Sequence, residues 1–295
     1  MSDRSSSSSN QPRIAIAGAT GRIGSALASL LAADPVDVVA LTRNPDAAQM
    51  PAGVAVSAVD FERHDSLADA LRGVDRLFIS HGTSPRQVAN EIALIDAAVA
   101  AGVRHIVKVS ALGPATRLLP LAWHMQVEAH LSLQPVASTA LRPSAFMSVL
   151  NHIGAQVAAG SWTGAAGTGR VNFIDTRDVA EAARVALIEE VEPGSQRAYH
   201  LTGPRSWTME QVAQELSRLL GRSIVYTNQP PARQREALIA GGASPFVADL
   251  LIGLDQMFRE SVLGETTSTV EELTGRAPRS LTDWLSENIS IFKAS

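Results

Sequence analysis

The sequence predicts an α/β protein in which a doubly wound parallel sheet carries a small C-terminal α/β lobe. Between Arg13 and Ser110, short apolar segments alternate with segments of helical periodicity, which is typical of strands joined by crossover helices. The apolar segments are mostly hydrophobic, as expected for strands covered by helices on both faces. A glycine-rich turn separates the first strand from the first helix, and this combination favours a Rossmann-like sheet.

Six strands are predicted before the alternation weakens, at residues 13–17, 36–41, 54–59, 76–80, 105–110 and 139–142. Apolar residues at helical spacing predict helices over 23–31, 66–72, 88–101 and 121–133. Gly73 and Gly102 follow two of these helices, where glycine commonly ends a helix. Pro143 closes the sixth strand, because proline cannot donate a hydrogen bond to a sheet.

The second half of the chain combines a return to the sheet with a separate lobe. A strand at 171–174 leads into a helix that begins near Asp175. Asp175 and Asp178 are assigned to capping this helix in preference to catalysis, because acids stabilise the first helical turn. A strand at 198–202, a helix at 208–220 and a strand at 223–227 follow. We predict a disordered tail at 1–12, a cofactor-binding domain at 13–150 to which 171–190 return, and a substrate-binding lobe formed by 151–170 and 191–295.

Composition excludes several classes of protein. The chain has 295 residues, 45% hydrophobic and 18% charged, which is too apolar for a disordered protein. A net charge of −4 gives no electrostatic reason to expect nucleic acid as a partner. Cysteine is absent, which excludes disulfides and thiolate metal sites and favours a reducing compartment. Because no secretory signal and no run of about 18 apolar residues is found, we expect a cytoplasmic protein that does not enter membranes.

The most informative segment is the glycine-rich turn Gly18-Ala19-Thr20-Gly21-Arg22-Ile23-Gly24, which lies directly between the first strand and the first helix. Glycines let the backbone turn tightly and approach a pyrophosphate, and the following helix offers free N–H groups to the phosphates. The turn therefore predicts a dinucleotide site to which all seven residues contribute. A purely structural turn is the alternative.

The end of the second strand distinguishes between the two nicotinamide cofactors, because it lies beside the adenosine ribose. It reads Leu41-Thr42-Arg43-Asn44 and lacks the Asp or Glu that usually binds both ribose hydroxyls in an NAD site. Arg43 can pair with a 2′-phosphate. We therefore predict NADPH as the cofactor and NADH as a weaker ligand; a solvated surface arginine is the alternative for Arg43.

Later strand ends complete the predicted cofactor site. Asp60-Phe61, after the third strand, is expected near the adenine, and Ser80-His81-Gly82, after the fourth, near the nicotinamide ribose. After the sixth strand, the segment from Arg142 to Met147 is expected to turn over the nicotinamide, with Pro143 and Phe146 as cofactor contacts.

Seven stretches together resemble the NmrA-like branch of the atypical short-chain dehydrogenase/reductases. They are the glycine turn and residues 41–45, 107–110, 124–131, 141–147, 175–180 and 201–204. The resemblance covers nearly the whole chain from Arg13 onward and implies the fold and the NADP-type cofactor. The family contains NADPH-dependent quinone, azo dye and triphenylmethane dye reductases and agroclavine/festuclavine dehydrogenases. It also contains transcriptional co-regulators that bind the dinucleotide without turning it over, so the resemblance leaves the substrate open.

The sequence lacks the Tyr-x-x-x-Lys pair that most short-chain dehydrogenases use as an acid catalyst. Neither Tyr199 nor Tyr226 is followed by a lysine at that spacing. In the region where the tyrosine would fall, His124 and Glu128 stand at i and i+4, so the carboxylate could orient the imidazole and raise its pKa. His124 is therefore the predicted proton donor, and a structural pair of His124 with Glu128 is the alternative. No metal site is predicted, because His130 lies on another face of the helix.

Lys108 and Ser110, at the end of the fifth strand, are further catalytic candidates. Lys108 is expected to approach the nicotinamide ribose or the substrate, and Ser110 to donate a hydrogen bond; a strand-end cap is the alternative for Ser110. Phe146 and Met147 are expected to form an apolar wall. Weaker candidates for the pocket lining are Trp123, Trp162, Trp207 and Phe246.

The missing acid pair narrows the expected substrate. A ketone benefits from a placed acid, whereas a quinone, imine, iminium or azo group is already an activated electrophile and needs mainly orientation. We predict an NADPH-dependent oxidoreductase that transfers hydride to such a small molecule, acting as a monomer or homodimer. A non-catalytic NADP(H)-sensing regulator is the alternative.

Overall fold

The structure, a computed structural model, describes residues 11–61, 63–113, 116 and 118–293. Residues 1–10 of the predicted tail lie outside these ranges. The strands are β1 Arg13–Ala17, β2 Asp37–Thr42, β3 Ala55–Ala58, β4 Arg76–Ile79, β5 His105–Val109, β6 Ala137–Pro143, β7 Ala145–Phe146, β8 Trp162–Gly164, β9 Val171–Ile174, β10 Gln196–Leu201, β11 Ser206–Trp207 and β12 Tyr226–Asn228. The helices are α1 Arg22–Leu31, α2 His64–Ala70, α3 Gln87–Ala100, α4 Leu121–Ser132, α5 Gly154–Ala158, α6 Thr176–Ile188, α7 Met209–Leu220, α8 Pro231–Ala240, α9 Pro245–Arg259, α10 Thr269–Thr274 and α11 Leu281–Glu287.

The main sheet is parallel, with the strand order β10-β6-β5-β4-β1-β2-β3. The chain winds outward from β1 in both directions, which confirms the predicted doubly wound, Rossmann-like fold. Ala17 is in register with Leu41 of β2 and Ile79 of β4, so the three strands end at one level. Because the strand order reverses between β1 and β4, their carboxyl ends open a crevice of the kind that binds ligands in such sheets.

Successive side chains of β1 enter two different hydrophobic cores, one on each face of the sheet. Ile14 and Ile16 pack with residues of α1 and α6, whereas Ala15 and Ala17 pack with residues of α2, α3 and α4. All four side chains are buried. Burial of both faces explains why the strands are apolar throughout and do not alternate with polar residues.

The C-terminal lobe has its own core and two short sheets, of order β11-β9-β7 and β12-β8. Trp162, Trp207 and Trp284 are buried in this core. Helix α7 begins where expected, because Thr208 and Gln211 form a reciprocal capping box at its N-terminus. None of the helices in the described ranges is long and apolar enough to cross a membrane.

Strand β10 corrects the predicted domain boundary. Residues 191–295 were all assigned to the lobe, but β10 pairs with β6 in the main sheet, from Gln196 opposite Ser138 to Leu201 opposite Pro143. Val270 of α10 is also buried in the core that α1 and α6 form on this sheet. The prediction was wrong here because β6 needs a neighbour for its backbone groups, and the strand that supplies it is about 50 residues away in sequence.

The predicted cap of α6 is confirmed. The Asp175 carboxylate accepts a hydrogen bond from the backbone N–H of Arg177 at 2.8 Å. Asp178, in the first turn, accepts one from the backbone N–H of Arg279 at 2.9 Å. Burial raises the pKa of Asp178, although Arg279 opposes this effect. The two acids therefore start α6, and Asp178 also anchors the chain ahead of α11.

Candidate active site

A cleft of about 1,090 Å³ opens at the carboxyl ends of β1, β2 and β4. Eleven of the predicted cofactor residues line it: Gly18, Thr20, Gly21, Arg22, Ile23, Arg43, Phe61, Ser80, His81, Gly82 and Phe146. The predicted residues that do not line it are Ala19, Gly24, Asp60, Lys108 and Pro143. The crevice expected from the strand order is therefore the place where the sequence motifs meet.

Two glycines of the turn are required by close backbone packing. Gly18 has a φ of +83°, and a Cβ there would lie 1.9 Å from the carbonyl oxygen of Ser80. A Cβ on Gly24 would lie 2.2 Å from the carbonyl oxygen of Gly18. Gly24 and the fully buried Ala19 thus support the turn through packing and do not line the cleft. This corrects their assignment as direct contacts of the cofactor.

The N-terminus of α1 is built to receive an anion. Gly21 is its N-cap, no side chain caps the helix, and no acid stands in its first turn. Arg22 and Ile23, the first helical residues, line the cleft. Free N–H groups and the helix dipole attract phosphate at such an end, so the turn fits the pyrophosphate of a dinucleotide.

The end of β2 supplies positive charge and no acid. Arg43 is exposed and lines the cleft together with Thr42 and Asn44. The backbone N–H of Asn44 donates to the Thr42 hydroxyl at 3.2 Å, which fixes the turn that carries Arg43. Among the described residues that line the cleft, Glu91 is the one acid, and it belongs to α3. The arrangement suits a 2′-phosphate better than two free ribose hydroxyls.

Aromatic rings stand between the ends of β3 and β4. Phe61 and His81 meet edge to face, with ring centroids 5.9 Å apart. Asn90 Nδ2 lies 3.0 Å from His81 Nε2, and His81 Nδ1 lies 2.6 Å from the carbonyl oxygen of Gly82. Asn90 also lines the cleft. The sequence did not predict this role, because a single polar residue on a helix does not differ from an ordinary surface residue. Asp60 does not line the cleft, and its backbone N–H donates to Ser66 Oγ at 2.9 Å.

A buried polar cluster adjoins the cleft and joins β5, α3 and α4. Lys108 Nζ lies 3.0 Å from Glu91 Oε2, 2.9 Å from the carbonyl oxygen of Val109 and 3.2 Å from His124 Nδ1. Gln87 Nε2 donates to Glu91 Oε1 at 2.9 Å. Lys108, Glu91 and Gln87 are at most 1% exposed. Lys108 therefore stands behind Glu91 and does not line the cleft, contrary to its assignment as a cofactor contact.

The predicted pairing of His124 with Glu128 is wrong. Glu128 pairs with Arg142 instead, whose Nε lies 3.1 Å from Glu128 Oε1. Burial alone would raise the pKa of Glu128, but the hydrogen bonds from Arg142, together with nearby positive charge, lower it. Burial, and then the charges of Lys108 and His81, hold the pKa of His124 well below its usual value. The expected rise in that pKa is therefore reversed, because the ring is buried and its neighbour is a cation and not an acid.

The remaining predicted residues differ in whether they reach the cleft. Phe146 lines the cleft, whereas Ser110, Pro143 and Met147 are buried. Trp123 and Phe246 stack with centroids 6.1 Å apart, so this pair connects α4 to α9, while Trp162 and Trp207 belong to the core of the lobe. No group of three metal-ligating side chains occurs within the described part of the chain, and His130 pairs with Asp96 at 2.6 Å.

Comparison with known proteins identifies the family of this chain. The model of the NmrA-like family matches residues 10–284. Quinone oxidoreductase 2 of Escherichia coli (strain K12) is 32% identical over 287 residues, covering 94% of this chain and 99% of that protein. The NAD(P)H azoreductase of Xenophilus azovorans is 30% identical over 288 residues, covering 96% and 100%. The NADPH complex of the Escherichia coli NADPH-dependent quinone oxidoreductase superposes with a TM-score of 0.84 at 29% identity, over 94% of this chain and 99% of that one.

Proposed function

This chain belongs to the NmrA-like family, and from that membership we propose that it is an NADPH-dependent oxidoreductase. It transfers hydride to a small electrophilic acceptor of the quinone, imine, azo or related conjugated type. Relatives over nearly the full length of the chain are named as a quinone oxidoreductase and an azoreductase. The observation that carries the proposal is the cleft itself, which combines an uncapped helix N-terminus with Arg43 at the end of β2.

Different residues of the cleft would bind different parts of the cofactor. The backbone of the turn and the start of α1 would hold the pyrophosphate, and Arg43 the 2′-phosphate. Phe61 would bound the adenosine end, and Ser80, His81 and Gly82 with Phe146 the nicotinamide end. The side chain of Arg22 extends across this region, with Nη1 3.2 Å from Ser148 Oγ. It could move from there to pair with a bound phosphate.

NADPH supplies a hydride, that is two electrons and one hydrogen nucleus, when it is bound. A quinone that gains a hydride needs one further proton to become a quinol. The chain orients the acceptor against the cofactor and excludes water, which is where most of the rate would come from. The site has no tyrosine to donate a proton to a ketone oxygen. The best substrates are therefore acceptors that tolerate transient negative charge or that begin as cations.

Replacing Arg43 tests the cofactor assignment. A charge-assisted hydrogen bond contributes about 1.5–3 kcal/mol, so Arg43→Ala should weaken NADPH roughly 10- to 150-fold by calorimetry, with little effect on NADH. Arg218→Ala is the matched control, because Arg218 is exposed on α7 and pairs with Glu215. Equal losses for the two cofactors would contradict the 2′-phosphate role.

Turnover separates the enzyme from a cofactor sensor. We expect NADPH oxidation with a panel of quinones, azo dyes and imines, in step with acceptor consumption. Tight NADPH binding without turnover on any acceptor would favour the non-catalytic regulator. A cytoplasmic location and a monomeric or homodimeric state belong to the same proposal and are tested by cell fractionation and light scattering.

A further inference from the structure

The ammonium group of Lys108 is surrounded by three acceptors. They are Glu91 Oε2 at 3.0 Å, the Val109 carbonyl oxygen at 2.9 Å and His124 Nδ1 at 3.2 Å. An ammonium group can donate three hydrogen bonds and accepts none. Lys108 therefore donates to the Val109 carbonyl oxygen, lies within hydrogen-bond distance of His124 Nδ1, and forms an ion pair with Glu91 Oε2, which has no hydrogen bond of its own in the ranges that the structure describes. The partner on α4 is a ring nitrogen.

Burial lowers the pKa of Lys108, but its buried counter-ion Glu91 opposes this effect and favours the charged form. Both side chains are at most 1% exposed, and a buried cation without a partner would lose its proton. Gln87 donates to the other oxygen of Glu91 at 2.9 Å, so both carboxylate oxygens have a donor or a cation beside them. The pair as a whole is neutral, and its ammonium group is fixed beside His124 Nδ1.

A charged donor at Nδ1 decides which ring nitrogen of His124 carries the proton. Nδ1 must present its lone pair to Lys108, so the neutral ring carries its proton on Nε2. Gln87 Nε2 is farther away, at 3.4 Å from Nδ1 and 3.5 Å from Nε2. Gln87 cannot turn its oxygen to the ring without losing its bond to Glu91. The Nε2–H of His124 therefore has no acceptor among the described residues.

We propose that the buried Lys108–Glu91 pair holds His124 as a neutral ring protonated on Nε2, so that His124 gives the acceptor a hydrogen bond but not its proton. Lys108 and Glu91 are then positioning residues. His124 does not line the cleft itself but adjoins it beside Glu91, which does, and in this proposal His124 is the group that would touch the acceptor. The inference rests on the proposed function, since the acceptor is the substrate of that reaction. The proton that completes a reduced quinone then comes from water.

Charges on every side of His124 support this state. Lys108 faces it from β5, with Glu91 of α3 behind the lysine. His81, from the loop after β4, adds to the forces that disfavour a second proton. Glu128, one turn along α4, is engaged by Arg142. No carboxylate is therefore left to stabilise an imidazolium, and the substrate class that follows is an acceptor able to carry the negative charge itself.

Nitrogen NMR of the NADPH-loaded, ¹⁵N-histidine-labelled protein tests the proposal directly. We expect one His124 tautomer with Nδ1 unprotonated, and no titration of the ring from neutral to mildly acidic pH. In Lys108→Met the tautomer ratio should shift toward the Nδ1–H form by roughly tenfold, as expected when a charged hydrogen bond is lost. Lys293→Met is the matched control, since Lys293 is exposed near the end of the chain, and should leave the ratio unchanged.

A second variant guards against misfolding. Lys108→Met leaves the charge of Glu91 buried without its counter-ion, which is strongly destabilising. Glu91→Gln/Lys108→Met removes both charges together and should fold while showing the same tautomer shift. An Nδ1-protonated ring in the wild type, or an unchanged ratio in both variants, would overturn the proposal. NADPH binding measured on the same samples reports on the proposed function separately, because loss of cofactor binding would leave the tautomer readout intact.

Discussion

Replacing Gly18 by alanine should damage both stability and cofactor binding, for reasons that the structure separates. The φ of +83° strains any side-chain-bearing residue, and the new Cβ would lie 1.9 Å from Ser80 O, where real contacts stay beyond 3.0 Å. Ser80 cannot yield easily, because its backbone N–H donates to Ala17 O at 3.1 Å. Left-handed backbone costs about 1–2 kcal/mol and overpacking about 1–3 kcal/mol, so we expect a loss of about 3 kcal/mol.

Thermal unfolding and calorimetry measure the two effects. At about 2 °C per kcal/mol for a long chain, Tm should fall by roughly 6 °C, and NADPH affinity by more than tenfold if the turn shifts. Gly53→Ala is the control: Gly53 has a φ of +85° but no atom within 4 Å of its Cβ position, so only the backbone strain remains. Equal Tm losses in the two variants, or full NADPH affinity in Gly18→Ala, would refute the reasoning.

Two further predictions concern stability. Burial, with Arg197 and Arg76, lowers the pKa of His105 to about 4; the unfolded chain takes up this proton below about 6.5, so the free energy of unfolding should fall by about 3 kcal/mol as pH drops from 6.5 to 4. His105→Gln should make that slope shallower by one proton, and an unchanged slope would contradict the assignment. Asp175→Ala should cost about 1–2 kcal/mol in urea denaturation, because α6 loses its cap. Asp249→Ala, at an exposed pair, should change stability by less than about 0.5 kcal/mol; equal losses would argue against the cap.

The parts of the site that could be predicted are those coded within a few residues. The glycine turn and the acid-free end of β2 are local patterns, and both line the cleft. Their roles follow from where parallel strands end, so finding the strands was enough. The same holds for Asp175, whose capping bond spans two residues.

The environment of His124 could not be predicted, because its partners are distant in sequence. Glu128 is one helical turn away and was the natural partner, but Arg142 of β6 engages it. Lys108 and Gln87 lie 16 and 37 residues from His124. Packing of β5 against α3 and α4 brings them together, and it reverses the direction of the pKa shift that local spacing suggested.

The position of β10 ties the fate of the lobe to that of the sheet. The polypeptide leaves the sheet after β6, forms part of the lobe, and returns to lay β10 alongside β6 over six residues. A fragment cut near residue 150 would leave β6 with a bare hydrogen-bonding edge and would be prone to self-association. The two halves should therefore not fold when they are expressed separately. Exchanging the lobe between relatives would require replacing several segments that connect the sheet to the lobe at the same time.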